Sequence, residues 1–366
     1  MDIIIQRETL LKPLQVISSI AEKKQTLPIL SNVLLSIKNK KLYLFGTDME
    51  VELVGFVEID SILSEGMITV CARKLFDACR LSTGETVRLT LENNYLVVRA
   101  GESCFMLNTL PPQDFPSLEE GAYSSQFCVK QSHLKNLFAK TYFAMGQQDV
   151  RHYLNGVLLD IRQHAIKCVA TDGHRLALTM IQDENIGDIE AKVILPRKSV
   201  LELIRLFSDE RENDITVQIG ESRFRVSTPE YIFTSKLINA QYPDYNRLIP
   251  KGNAVAVGDR EVIKQALTRA SILLTDKFRG IRFQLEVDKL RITANNESQE
   301  QADEAISLEY AGKSIEIGFN VAYLLDAISA ITAKTIRCVF TGPSEGVLIE
   351  SAEDDQSLYV VMPMLI

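Results

Sequence analysis

The sequence predicts an α+β chain built from three tandem repeats, each a unit of two helices and antiparallel strands. Three observations predict it. An amphipathic segment opens each third of the chain: RETLLKPLQVISSIAEKK, then QSHLKNLFAKTYFAM, then DREVIKQALTRASILL. A pair of alternating apolar and polar runs follows each one, as in LSNVLLSIKNKKLYLFGTDMEVEL, YLNGVLLDIRQHAIKCVATDGHRLAL and FRGIRFQLEVDKLRITANNESQEQA. The offsets between equivalent positions also hold. Thr9, His133 and Val262 step by 124 and 129 residues, and Lys74, Lys198 and Tyr323 by 124 and 125. A fixed period of this kind marks one supersecondary unit repeated along the chain.

The opening helices bury Leu10, Leu11, Leu14 and Ile17, then Leu134, Leu137, Phe138 and Tyr142, then Val262, Ile263, Ala266, Leu267 and Ala270, at three- and four-residue spacing. Ser132 and Asp259 suit N-caps. Pro13 is discordant, because proline inside a helix costs roughly 3 kcal/mol unless it lies in the first turn or at a kink. The strand runs with polar turns read as hairpins. A second helix comes next in each third, CARKLFDACRLS, LPRKSVLELIRLFS and GFNVAYLLDAISAI, with Pro196 fit for a first turn and Asn320 for a cap. Further strands close each third, as in ETVRLTLENNYLVVRA. Repeats spanning 1–124, 125–252 and 253–366 follow.

A length of 366 residues exceeds one ordinary core, and 46% hydrophobic with 24% charged residues is a globular composition. No apolar run is long enough to span a bilayer, so no membrane partner is expected. The start MDIIIQRETLLKPL lacks the basic and apolar blocks of a signal peptide, so a cytoplasmic location is expected. Cys71, Cys79, Cys104, Cys128, Cys168 and Cys338 are scattered without metal-ligand spacing. Buried reduced thiols, with no metal and no cofactor, are the expectation.

VATDGHRLAL gathers Asp172, His174 and Arg175 beside Thr171, which raises the question of a catalytic group. The repeats argue against it. LFGTDMEVEL and ITANNESQEQA hold the same place, and neither carries a histidine. No G-x-S-x-G, H-E-x-x-H or P-loop supplies the remaining machinery. A polar turn after a strand explains the Asp and Asn residues through local hydrogen bonds, and leaves His174, Arg175 and Leu176 free for binding. A hydrolase or transferase using Asp172 and His174, and a scaffold that binds proteins alone, are the competing readings.

Charge is segregated. The segments 7–24, 72–81, 130–141, 197–207, 259–277 and 319–334 together carry +10, which leaves −18 elsewhere in a chain of net charge −8. Lysine and arginine on solvated helix faces would give some of this. Glutamate is an equally good helix former and is much scarcer there, which favours a basic helical surface facing a polyanion. Few aromatic or amide side chains accompany these cations, so contact with phosphates without base readout is expected. Three repeats that curve through half a turn, helices inward, would let two chains close a ring of six.

The stretches TLPILSNVLL, GTDMEVE, QDVRHYLNGVLL, VATDGHRLAL, FTSKLINAQYPDY, KFRGIRF, ITANN, GFNVAYLLDAI and YVVMPM occur in this order. Through them the whole chain closely resembles the bacterial sliding-clamp family, the beta subunits of DNA polymerase III. The resemblance implies the DNA clamp fold and a non-catalytic function. It implies a head-to-tail homodimeric ring, half contributed by each chain with helices inside, that encircles double-stranded DNA without regard to sequence. It implies as partners the polymerase catalytic subunit, the clamp loader and other proteins with a clamp-binding segment. The peptide pocket it implies comprises Leu154, Thr171, Gly173, His174, Arg175, Leu176, Pro243, Arg247, Leu248, Phe278, Asn320, Tyr323, Val347, Val360, Val361, Met362, Pro363 and Met364. The implied DNA contacts are Lys24, Arg73, Gln148, His152, Tyr153 and Arg197. Lys74, Phe105 and Leu107 of one chain are implied to meet Ile272, Leu273, Glu300 and Glu304 of the other. Lys24 and His152 stand where arginine and tyrosine are commoner, and Glu102 and Cys104 where basic residues are frequent, which points to a weaker ionic part of the dimer interface.

Overall fold

The computed structural model describes residues 1–21, 27–118, 121–207, 213–275, 279–353 and 356–365. Six helices appear among them: α1 (Arg7–Ile20), α2 (Ala72–Leu81), α3 (Gln131–Ala139), α4 (Arg197–Leu206), α5 (Arg260–Ala270) and α6 (Val321–Ala330). They alternate with strands in the same order three times over, as the period requires. Each repeat holds two antiparallel sheets of matching strand order, four-stranded except that Ser61–Ser64 adds a fifth strand to one sheet of the first repeat. In the second repeat these are Ala191–Pro196, Gly156–Arg162, Ala165–Thr171, Arg175–Gln182 and Tyr123–Lys130, Asp214–Gly220, Arg223–Ser227, Tyr231–Lys236.

Contacts divide the described chain into two units, residues 1–131 with 205–237 and residues 132–204 with 238–366. The first unit contains a 13-stranded sheet, the second an 8-stranded and a 4-stranded sheet. Each unit contains one seam between repeats. In the first, Val51–Gly55 pairs antiparallel with Tyr231–Ser235. In the second, Arg175–Thr179 pairs with Ser357–Val361. The rule is the same in both: the third strand of one sheet joins the last strand of the following repeat.

Leu10, Leu14 and Ile17, then Leu134, Leu137 and Phe138, then Ile263, Ala266, Leu267 and Ala270 are buried as the spacing predicts. Leu11 is only half-buried. Two expected core residues are not in the core. Val262 is 46% exposed because it lies in the first turn of α5, where its amide is bonded by the Asp259 cap. Tyr142 is 37% exposed because α3 ends at Ala139, and Tyr142–Ala144 forms a separate 3-10 turn. Asp259 and Asn320 are N-caps, accepting from Glu261 and Val262 and from Ala322 respectively. Ser132 is not a cap, since α3 already begins at Gln131. Pro196 is the last residue of a strand, immediately before α4.

Pro13 lies buried in the interior of α1. The neighbouring strands make room for this helix with two glycines. A Cβ on Gly55 would lie 3.2 Å from Pro13, and one on Gly46 would lie 2.6 Å from the Ile17 methyl. The cysteines are all free; Cys79 and Cys168 are buried, whereas Cys104 and Cys128 are exposed. Both exposed thiols occupy outward positions of alternating strands, where period-2 geometry overrides the residue's usual preference for the interior. Among the described residues no helix is long and apolar enough to cross a membrane.

The α1 contact gives a direct test. Gly46→Ala should overpack the helix–sheet contact and destabilise the first unit by about 1–3 kcal/mol. Its earliest urea unfolding transition should move to lower denaturant, with the same change at the open Gly342 as control.

Candidate functional site

The turn inside VATDGHRLAL is built from its own side chains. Thr171 Oγ1 donates to the Arg175 carbonyl at 2.6 Å and accepts from the Gly173 amide at 3.1 Å. Asp172 Oδ1 accepts from the amides of His174 and Arg175 at 2.9 and 3.1 Å. Gly173 takes φ +89°, a region where a Cβ costs energy. The first repeat repeats this device. Thr47 bonds Val51 and Met49, and Asp48 bonds Glu50 and Val51, with Met49 at φ 76°. Asn296 does the same work in the third, accepting from Ser298 and Glu300. The Asp172 carboxylate is thus occupied in shaping a turn, which leaves no general base for His174 to work with.

Beyond the turn, Arg175 is almost enclosed, its side chain 13% exposed. Its guanidinium bonds Asp172 at 3.0 Å, Asp326 of α6 at 2.5 Å and the Phe143 carbonyl at 2.5 Å, and stacks 4.3 Å from the Tyr323 ring centre. His174 lies over the same tyrosine, with centroids 6.5 Å apart and planes at 23°. Arg175 therefore acts as a brace between the turn and α6, while His174 and Tyr323 present their ring edges outward.

The chain end completes the groove. Register pairs Arg175 with Val361 and Leu176 with Val360. The Met362 amide then donates to the His174 carbonyl, and the Met364 amide to the Gly318 carbonyl, both at 2.9 Å. Leu154, Thr171, Leu176, Val347, Val360 and Val361 are buried beneath this surface, Leu176 with Val360 on one face of the seam and Val347 with Val361 on the other. Leu248, Met362 and Met364 are 36 to 41% exposed and form an apolar rim. Leu248 ends a 3-10 turn, Tyr245–Leu248, capped by Asp244, which also pairs with the exposed Arg247 at 3.1 Å. Leu248, Arg247 and Met362 open onto a cavity of about 730 Å³. Pro243 is exposed and Pro363 half-buried. Asn320 caps α6, so its carbonyl oxygen is already engaged. Phe278 lies outside the described residues.

One residue at this groove escaped the sequence reading. Arg151 is held by Asp149 through its amide and guanidinium at 2.8 to 3.1 Å, and its Nη2 donates to the Asp172 carbonyl at 3.3 Å. Its guanidinium lies where a Cβ on Gly173 would stand, 3.1 Å away. Bonding to Arg151 holds the Asp149 carboxyl down at about 2. The missing side chain at Gly173 was the signal that could have found it.

The residues expected at DNA divide between the units. Arg73 on α2 is exposed in the first, sharing Asp77 with Arg80 at 3.0 and 3.1 Å. Gln148 and His152 are exposed and Tyr153 half-buried in the second. Arg197 opens α4 and donates to the carbonyls of Tyr142 and Met145 at 3.3 and 3.4 Å. Burial, and then the neighbouring Arg175, push its pKa below the ordinary guanidinium value. Lys24 lies outside the described residues. Among the interface candidates, Lys74 and Ile272 are exposed and Phe105, Leu107 and Leu273 half-buried. Glu304 is taken by Arg269 of its own chain at 2.9 and 2.7 Å, and Glu300 by Asn296.

Comparison with known proteins places these features. The N-terminal, central and C-terminal domain models of the DNA polymerase III beta subunit match residues 1–119, 128–244 and 246–365. The beta sliding clamps of Pseudomonas putida and Escherichia coli are 46% and 42% identical, each over 98% of both chains. The DNA polymerase III subunit beta of Pseudomonas aeruginosa superposes with a TM-score of 0.96 at 45% identity, covering 100% of both chains. The Caulobacter crescentus pol III beta gives 0.95 at 32%, again over 100% of both. The chain therefore belongs to the beta subunit family of bacterial DNA polymerase III, the sliding clamps, whose members are processivity subunits and not catalysts.

Proposed function

We propose that this chain works as a DNA sliding clamp in the cytoplasm: repeats 1–124, 125–252 and 253–366 form half a ring, and two copies close head to tail around duplex DNA. The seam rule is the observation that carries it. In two repeats the last strand pairs with the third strand of the repeat before it. The last strand of the first repeat, Ser103–Leu110, has a second described neighbour only at Thr109 and Leu110. The corresponding third strand of the last repeat's sheet, Gln301–Ser307, pairs on one side only among the described residues. Each chain thus has one half of the missing seam at either end, and only a second copy satisfies both.

Phe105 and Leu107 then meet Ile272 and Leu273, and the exposed 74% of Ile272 is the surface this buries. Lys74, Glu300 and Glu304 stand beside that contact. With Glu304 already bonded to Arg269 and Glu102 and Cys104 on the facing strand, the seam closes by backbone pairing and apolar burial. Arg73, Gln148, His152, Tyr153 and Arg197 face the phosphates. The groove takes the apolar segment of the polymerase catalytic subunit, the clamp loader and similar partners: leucine-like side chains against Leu154, Thr171, Leu176, Val347, Val360 and Val361, closed over by Leu248, Met362 and Met364. Gly173, Arg175, Pro243, Arg247, Asn320 and Pro363 shape its walls, and His174 and Tyr323 supply polar edges. Methionines at the rim adapt to different sequences.

Three outcomes are expected. Leu248→Asp combined with Met362→Asp should weaken a fluorescent leucine- and phenylalanine-bearing peptide by at least about ten-fold, as loss of one buried anchor does. The melting temperature should stay within a few degrees, roughly the effect of a sub-kcal/mol change. Loaded onto nicked circular DNA, the ring should persist with little change between about 0.1 and 0.5 M NaCl, since no exposed ion pair holds the seam. Linearising the DNA should release it; a residence that shortens steeply with salt would contradict the apolar seam. The third concerns Asp149. A lowered folded-state pKa contributes stability above the unfolded value of about 3.9 and loses it as pH falls further. The loss runs to about 2 for Asp149. A carboxyl NMR titration should find that low midpoint, and Arg151→Ala should return it to the usual range.

A further inference from the structure

A second concavity lies on the other flank of the connector that carries Leu248. It encloses about 800 Å³ between residues 240–246 and the outer face of the second repeat's sheet. A row of side chains crosses that face. Asp160 is the register partner of Lys167 on one side and of Lys192 on the other, and Arg162 stands two residues along the same strand. Asp160 is buried, 8% exposed, and bonds Arg162 at 2.8 Å and Lys192 at 3.3 Å. Burial and this carboxylate raise the pKa of the adjoining Tyr245 phenol. The other acid of the lining, Asp244, is paired with Arg247 outside the cavity lining. Three cations therefore stand beside one carboxylate on the sheet wall, and that carboxylate bonds two of them, in a chain of net charge −8.

The fold does not require this row. The positions equivalent to Lys167, Asp160, Arg162 and Lys192 are Tyr43, Ser36, Lys38 and Met67 in the first repeat, and Arg291, Gln284, Glu286 and Glu316 in the third, one cation in each. Neither repeat gathers cations there. Burying Asp160 is costly, and its return is to hold two of the three positive groups in fixed positions on a wall of the cavity. The cavity adjoins the groove at the connector: Pro243 and Asn246 line it, and Asn246 with Arg247 and Leu248 lines the cavity at the groove rim.

We infer that this cavity is an acid-accepting extension of the peptide groove, taking glutamate or aspartate side chains that flank a partner's apolar docking segment. It rests on the groove reading above and adds a partner chemistry to it. All three cations are exposed; Asp160 bonds Arg162 and Lys192, and Lys167, opposite Asp160 in the register, meets the incoming carboxylate with those two beside it. Such contacts add specificity and on-rate to an apolar anchor.

The test uses the full-length protein and fluorescence anisotropy. Labelled peptides share one leucine- and phenylalanine-bearing segment and carry three glutamates or three glutamines at either end. One glutamate-extended peptide should bind about five-fold more tightly than its glutamine counterpart at low salt, the yield of one or two exposed ion pairs. The advantage should vanish at about 0.5 M NaCl. Lys167→Glu should abolish it and leave the glutamine peptides unchanged, while Lys167→Arg keeps it. Equal binding of glutamate and glutamine peptides at both ends overturns the extension alone, as does an advantage that survives Lys167→Glu. Failure of the glutamine peptides to bind overturns the groove reading and the extension together.

Discussion

The antiparallel seam of Arg175–Thr179 with Ser357–Val361 is the constraint on which the rest of the second unit depends. Register in such a pair is all or nothing, because a slip of one residue sends every side chain to the opposite face. Pairing Leu176 with Val360 puts two buried apolar side chains into one core cluster with Leu158, Val169 and Leu348. The same register brings the chain out beside His174, where Met362 continues the ladder by one more hydrogen bond before Met364 bonds Gly318. A groove with an apolar floor and a methionine rim is a geometric consequence of where that strand stops.

An apolar floor beside so polar a turn is stable only if the turn satisfies itself. Thr171 and Asp172 take up the local amides, and Arg175 spends its guanidinium on Asp172, Asp326, the Phe143 carbonyl and the Tyr323 ring. The guanidinium's own donors are thereby satisfied within the brace. Removing one member would strand the others in a poorly solvated place, which is where charged networks are most costly to break. The equivalent turn at Thr47–Val51 has neither the arginine nor an aromatic partner. The backbone device belongs to all repeats, and the second adds the site to it.

The repeat period and the six helices were legible in the sequence, because each rests on spacing; the groove came from the resemblance to a family and not from any period. Helix ends were less so. Val262 and Tyr142 fit an apolar face on paper, yet Asp259 starts one helix and α3 stops before the other, and no periodicity argument sees a cap or a break. Arg151 was hidden for a different reason: it packs 3.1 Å from where a Cβ on Gly173 would stand, a closeness that spacing along the chain does not show. The pairing of Glu304 with Arg269 joins positions 35 residues apart through the packing of a helix on a strand. Pairings of that kind appear only in three dimensions. The connector's cover over the outer sheet face, with Ile238, Tyr242 and Ile249 packed on the core, was likewise invisible as anything but a loop.

The charge asymmetry of the helices takes on a different meaning once partners are known. Counted along the sequence, the helical cations promise strong attraction to phosphates. In the structure many are already committed: Arg73 and Arg80 share Asp77, Arg197 turns to two carbonyls, and Arg269 holds Glu304. Affinity for duplex DNA grows with the number of phosphates neutralised, and each tight contact is one that must break before the protein can move along. A protein kept on DNA by enclosure gains nothing from such contacts. Partly neutralised cations on helices, with binding energy concentrated at a groove for proteins, are what a ring that must slide and still hold its polymerase requires.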